Sequence, residues 1–226
     1  MPVSRPTANC IWKSFQNSEK KHIILTGHRG IGKTTLLHSL FPTQQAGLTT
    51  WAVPQTGVYL KNNQTGETVQ VGRFNPDQPG TENRMQPIWG AFRDKGTCFL
   101  KSLLNSSSKW ITIDEIGYLE TQDHCYQNAI LDLLKYKQVL MVIRKQDLSF
   151  LNELKSRSDA FVVDLDQPYG NAGCIIMASG QGKRFGKNKL LESFQGKPLI
   201  QWALDVTNNL FSRRLVVTVH KEIEQL

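Results

Sequence analysis

The run HIILTGHRGIGKTTLL, residues 22–37, places Gly27, Gly32, Lys33 and Thr34 in the GxxxxGK[ST] frame. A short apolar run, Ile23–Leu25, precedes it, and a helix-compatible stretch, Thr34–Leu40, follows. Strand, glycine loop and helix in that order form a phosphate cradle. Glycine lets the backbone approach a phosphate with its N–H groups pointing inward, and the helix N-terminus adds unpaired donors and partial positive charge. The amides of Gly27, Gly30, Ile31, Gly32, Lys33, Thr34 and Thr35 are the candidate cradle. Lys33 is the candidate charge on the β/γ-phosphates, and the Thr34 hydroxyl the candidate Mg²⁺ ligand. Such a cradle suits the phosphates of a nucleoside triphosphate.

A second motif supports this. Trp110-Ile-Thr-Ile-Asp-Glu is an apolar strand ending in two carboxylates. In open α/β sheets, ligands bind at the carboxyl ends of strands. Asp114 is therefore a candidate Mg²⁺ holder, and Glu115 a candidate base for an attacking water. Arg144 and Lys145 follow the apolar run Val139–Ile143 and reach the same edge. Arg144 is the candidate arginine finger, with Arg84 and Arg93 as competitors. His28 and Arg29 lie inside the glycine loop and take no chemistry, because the backbone does the binding there. His22, His38, His124 and His220 show no metal-ligand spacing.

The chain has 226 residues and a net charge of +8. The positive charges do not gather into one block, and aromatic residues do not interleave with them. That pattern argues against a nucleic-acid surface. No apolar run approaches the roughly 20 residues that cross a bilayer, and the N-terminus lacks a signal-peptide core. Cys10, Cys98, Cys125 and Cys174 are scattered, with no CxxC pair. These features point to the cytoplasm.

Residues 1–21 read as a polar leader. Strands are predicted at 23–26, 110–115, 139–143 and 160–164, with helices at 33–40, 87–105, 123–136 and 148–156. Two alternating runs, 57–61 and 67–71, flank Asn-Asn-Gln-Thr-Gly as a hairpin. Residues 75–84 read as a loop. Alternation of strands and helices over 22–165 predicts an α/β fold with a mainly parallel sheet. Residues 166–172 read as a linker. From 173 the pattern restarts: strand 174–178, a glycine-rich loop, helix 198–209, strand 215–219 and the start of another helix. In that loop Gly180, Gly182 and Gly186 permit close backbone approach to a phosphate, and Arg184 and Lys189 supply charge.

LTGHRGIGKTTLL and IDEIGYLE (113–120) resemble the P-loop nucleoside-triphosphatases of the cancer-related nucleoside-triphosphatase type. The resemblance implies a RecA-like fold and Mg²⁺-dependent hydrolysis of ATP, GTP and other triphosphates. It carries over Gly27, Gly30, Gly32, Lys33, Thr34, Thr35, Asp114 and Glu115. AGLTTWAVPQTGVYL (46–60) departs from the family's acidic and arginine residues after the threonine, a departure that bears on base selection. ASGQGKRFGKNKLL and GKPLI, within 173–226, resemble the start of MobA-like nucleotidyltransferases, which have a Rossmann-like fold and act on molybdopterin. This second resemblance carries over Gly180, Gly182, Arg184, Gly186, Lys189, Gly196 and Pro198. That family's metal-binding Asp follows a later strand, so residues 173–226 are expected to be an incomplete fragment without transferase activity of its own.

The combined expectation is a triphosphatase linked to molybdenum-cofactor maturation, with maturation proteins or a missing transferase chain as partners. Its rivals are a P-loop small-molecule kinase and a non-enzymatic regulatory module.

Overall fold

The computed structural model describes residues 6–43, 45–77, 84–169, 172–182, 186–208, 210–211 and 213–225. The chain divides into two compact units, Pro6–Val163 and Asp164–Leu226.

The first unit is built on an eight-stranded sheet. Its strands are β1 (His22–Thr26), β2 (Gly47–Val53), β3 (Gly57–Asn62), β4 (Thr68–Phe74), β5 (Met85–Pro87), β6 (Trp110–Ile116), β7 (Gln138–Ile143) and β8 (Ala160–Asp164), in the order β5-β4-β3-β2-β6-β7-β1-β8. β1 pairs with β7, β7 with β6 and β6 with β2, all parallel. This is the expected α/β core. Strands buried on both faces need continuous apolar sequence, which Ile23–Leu25 and Val139–Ile143 supply; all eight residues are buried. Beyond β2 the sheet becomes an antiparallel meander through β3, β4 and β5.

Helix α2 (Lys33–Leu40) follows β1 directly. Helices α3 (Thr97–Leu104), α4 (His124–Tyr136) and α5 (Ser149–Ser156) contribute Phe99, Leu103, Tyr126, Ile130, Leu133, Leu151 and Leu154 to the core under the sheet. Asp123 caps α4, its carboxylate accepting from the Cys125 and Tyr126 amides at 2.9 and 3.1 Å.

Two local expectations are corrected. Within the predicted polar leader, Ala8–Gln16 forms helix α1, capped by Thr7, with Ile11 and Phe15 buried. Its rings join an aromatic cluster in which Trp12, Phe15, Phe41, Trp110 and Phe161 lie 5.4–6.1 Å apart. Pro87 does not open a helix. It ends the edge strand β5, where its missing N–H costs no ladder bond, and helical structure resumes as a π-turn at Phe92–Gly96 leading into α3. The loop read at 75–84 falls largely outside the described residues.

The aromatic cluster yields a stability prediction. Phe15→Ala empties a site that is 6% exposed, and the domain loses about 3 kcal/mol in denaturant unfolding, the usual scale for a buried ring. A change under about 0.5 kcal/mol would return α1 to the status of a loose leader.

The second unit holds two parallel strands, β9 (Gly173–Met177) and β12 (Arg213–Val217). It also holds a two-strand hairpin, β10 (Ser193–Phe194) with β11 (Lys197–Pro198), and helices α6 (Leu199–Asn208) and α7 (Lys221–Glu224). Ala178, Ile200 and Ile223 form its small core.

Candidate functional site

The candidate site lies where β1, β6 and β7 end. Gly32 begins α2 at φ 95°, a left-handed conformation that favours glycine and turns the loop into the helix. Lys33 sits in the first turn. Its ammonium donates to the Gly27 and His28 carbonyls at 2.8 and 2.9 Å, which holds it over the loop. One residue on, the Thr34 hydroxyl donates to Asp114 Oδ1 at 3.1 Å. Two motifs 80 residues apart thus meet through one hydrogen bond.

Asp114 is buried at the end of β6. Burial raises its carboxyl above the ordinary range. The Thr34 hydroxyl opposes that rise, and the neighbouring Glu115 charge adds to it. Thr34 and Asp114 offer two hard oxygens side by side. Mg²⁺ fits such a pair, since it keeps several waters and takes only one or two carboxylates along with phosphate oxygens. No group of three or more His, Cys, Asp or Glu suited to a metal occurs among the described residues.

Glu115 departs from the strand. Its φ is 83°, and the β6–β7 register shifts between Ile113 and Ile116. The bulge turns its carboxylate onto the Arg144 guanidinium, forming an ion pair and hydrogen bond. Arg144 also donates its backbone N–H to the Ile116 carbonyl at 2.9 Å. Gly117 makes room for this arrangement, as a Cβ there would come within 2.7 Å of Arg144 Cδ. The candidate base and candidate finger are therefore in contact.

The two competing arginines lie elsewhere. Arg93 pairs with Asp123 at 3.5 Å and stands over Trp89, and Arg84 donates to the Pro76 carbonyl at 3.1 Å. Neither lines the cleft of about 650 Å³ that contains the glycine loop, Asp114, Glu115, Arg144 and Lys145.

Two residues emerge that the sequence reading did not single out. Trp51, on β2, forms part of the cleft wall and is 38% exposed. Glu120 ends the IDEIGYLE motif but is 3% exposed, and its carboxylate accepts from the Gly117 amide at 2.8 Å. That bond closes the turn carrying Gly117 beneath Arg144. An acidic residue three places after a strand-end glycine was the available signal, but nothing in the pattern marked it as buried.

Burial pushes the Glu120 carboxyl up to about 7 from 4.5. The folded chain then holds a proton that the unfolded chain releases between those pH values, so stability falls as pH rises through the window. The fall amounts to about 3 kcal/mol and is complete above pH 7. His22, fully buried, has the opposite sign: burial lowers it to about 4 from 6.5, so stability falls as pH drops through that range. The two trends oppose each other between pH 4.5 and 6.5. Glu120→Gln keeps an acceptor for Gly117 and removes one trend. Its stability relative to the parent should climb by about 3 kcal/mol from pH 4.5 to 7.5 in urea unfolding. Parallel curves would show that Glu120 is not held protonated.

In the second unit, Gly180 and Gly182 lie in the loop after β9. The Gly186 amide donates to the Gly182 carbonyl at 3.1 Å, and the His220 ring lies 3.1 Å from the Gly180 carbonyl. Lys189 opens a 3-10 turn capped by Asn188. Arg184 lies outside the described residues.

The crystal structure of THEP1 from the hyperthermophile Aquifex aeolicus superposes with a TM-score of 0.53 at 21% identity, over 64% of this chain and 89% of that one, a likeness of fold. The solution structure of a human cancer-related nucleoside triphosphatase gives a TM-score of 0.49 at 23% identity, over 64% and 88%. No curated protein matches the chain. Residues 174–226 match the family model of the MobA-like NTP transferase domain. The model described as NTPase matches residues 22–172, well over half the sequence, and the chain belongs to that family.

Proposed function

We propose that the chain hydrolyses nucleoside triphosphates, ATP and GTP among them, to the diphosphate and phosphate with Mg²⁺. The Thr34–Asp114 hydrogen bond carries this reading, because it joins the glycine loop to the acidic strand end. The loop amides and Lys33 bind the phosphates. Thr34 and Asp114 hold Mg²⁺, which when bound offsets phosphate charge. Glu115 takes the proton of the attacking water as its oxygen bonds to the γ-phosphorus and the bond to the bridging oxygen breaks. Arg144 stabilises the charge that develops on the phosphates.

Phosphate release from ATP, GTP and CTP by the full chain, with and without Mg²⁺ and with no added acceptor, tests the proposal. Turnover that needs Mg²⁺ supports it. Turnover only when an acceptor is added would replace it with the kinase reading. The kinase reading is favoured by one observation, a second cleft of about 530 Å³ that shares Asp114 with the first.

The match of residues 174–226 to a MobA-like domain supports a role beside molybdenum-cofactor maturation, with its proteins or a transferase chain as partners. No helix among the described residues is long and apolar enough to cross a membrane. The free thiols of Cys10, Cys98 and Cys125 are exposed, which suits a reducing compartment, and we place the chain in the cytoplasm.

A further inference from the structure

The second cleft lies on the face of β2 and β3 turned away from the main core. Cross-strand pairing sets Thr49 opposite Lys61 and Trp51 opposite Tyr59. The partners of each pair share a face, and the alternating pattern of β3 buries Val58, Leu60 and Asn62 on the other. α2 and the segment after it form the remaining wall through Leu37, His38 and Phe41. His38, Thr49, Trp51 and Asp114 line both clefts, so the two adjoin at the acidic strand end.

The chemistry of this cleft is specific. Trp51 and Tyr59 stack with centroids 5.7 Å apart and planes at 21°. The stack holds a large, exposed indole in one orientation, so a second flat ring can join it without ordering a mobile side chain. Lys61 is half-buried in the cleft wall and forms no ion pair with a described residue. A lysine so placed is a point charge suited to a phosphate or other anion. Thr49 Oγ1 donates to Asn63 Oδ1 at 3.1 Å, which fixes the carboxamide in the same wall.

From these features we infer that the cleft formed by Trp51, Lys61 and Asn63 is a second ligand site, for a flat heteroaromatic molecule carrying an anionic group. The ring lies against Trp51 and the anion against Lys61. The site fills independently of the glycine loop. Its dependence on the proposed function is limited to assigning the triphosphate to the other cleft.

The probe is GMP, titrated calorimetrically into the full chain whose glycine loop is saturated with a non-hydrolysable ATP analogue and Mg²⁺. GMP binds the loaded chain. Trp51→Ala weakens it about tenfold or more, the usual scale for loss of one base-stacking partner. Guanosine binds several-fold more weakly than GMP, and Lys61→Ala erases that difference. Trp51 is exposed and Lys61 is on the surface side of β3, so neither change removes core volume. Failure of GMP to bind the loaded chain, or binding indifferent to both changes, overturns the inference.

A Lys33→Ala chain separates this inference from the triphosphatase reading. GMP binding that survives Lys33→Ala and falls in Trp51→Ala supports the second site even if no triphosphate is hydrolysed. Binding lost in Lys33→Ala and kept in Trp51→Ala means that GMP occupies the glycine loop, and the second site is refuted.

Discussion

Lys33→Ala lowers triphosphate turnover at least about 100-fold, the scale on which removal of one aimed donor at a developing charge is felt. The expectation follows from position. Lys33 is the first residue of α2, and its ammonium already lies over the loop, bound to the Gly27 and His28 carbonyls. Those carbonyls are exchangeable partners, and a phosphate oxygen is a stronger one because the bond becomes charge-assisted on both sides. No core side chain packs against an empty volume after the change, so the unfolding midpoint should stay close to that of the parent. Steady-state phosphate release and denaturant unfolding, measured on the same preparation, check both halves. Turnover within about threefold of the parent would remove the glycine loop from catalysis. A collapse of stability would instead show that the lysine serves the fold.

The legible parts of this molecule are those whose cause is local. β1, β6 and β7 are central strands, and burial on both faces demands unbroken apolar runs that can be read directly. α2 begins where glycine gives way to Lys-Thr-Thr, and α4 begins at an Asp that caps it. The parts that were not legible have causes far away in the chain. α1 offers only Ile11, Trp12 and Phe15 in a polar stretch, and they acquire meaning from Phe41, Trp110 and Phe161. β5 is three residues long and ends in a proline, which suits an edge strand as well as a first helical turn. The chemistry divides the same way. Lys33, Thr34 and Asp114 follow from motif and sheet edge. The Glu115–Arg144 contact depends on a bulge in β6, and no residue type announces a bulge. Trp51 could be placed only once the β2–β3 register was known.

Glu115→Gln retains triphosphate binding and slows hydrolysis about 100-fold or more, the lower range for loss of a positioned base. The contact with Arg144 makes this result open to two explanations, since the amide would also weaken the arginine's anchor. Arg144→Ala, by itself, lowers kcat about 1,000-fold if the guanidinium serves the transition state as an internal finger. The double variant separates the roles. A residue that only anchors Arg144 has nothing left to do once the arginine is gone, so adding Glu115→Gln to Arg144→Ala would then cost nothing further. A base retains its work. Phosphate release by the double variant at least about tenfold slower than by Arg144→Ala alone is the expected outcome, and equal rates would reduce Glu115 to a positioning residue. The left-handed φ of Glu115 bears on the same question. A β-strand that holds a non-glycine residue at φ 83° does so against a local preference worth roughly 1–3 kcal/mol, and the surrounding bonds must over-determine it. Relaxing that turn with Glu115→Gly should therefore abolish the fast reaction without destabilising the sheet, since glycine accepts the conformation and lacks only the carboxylate.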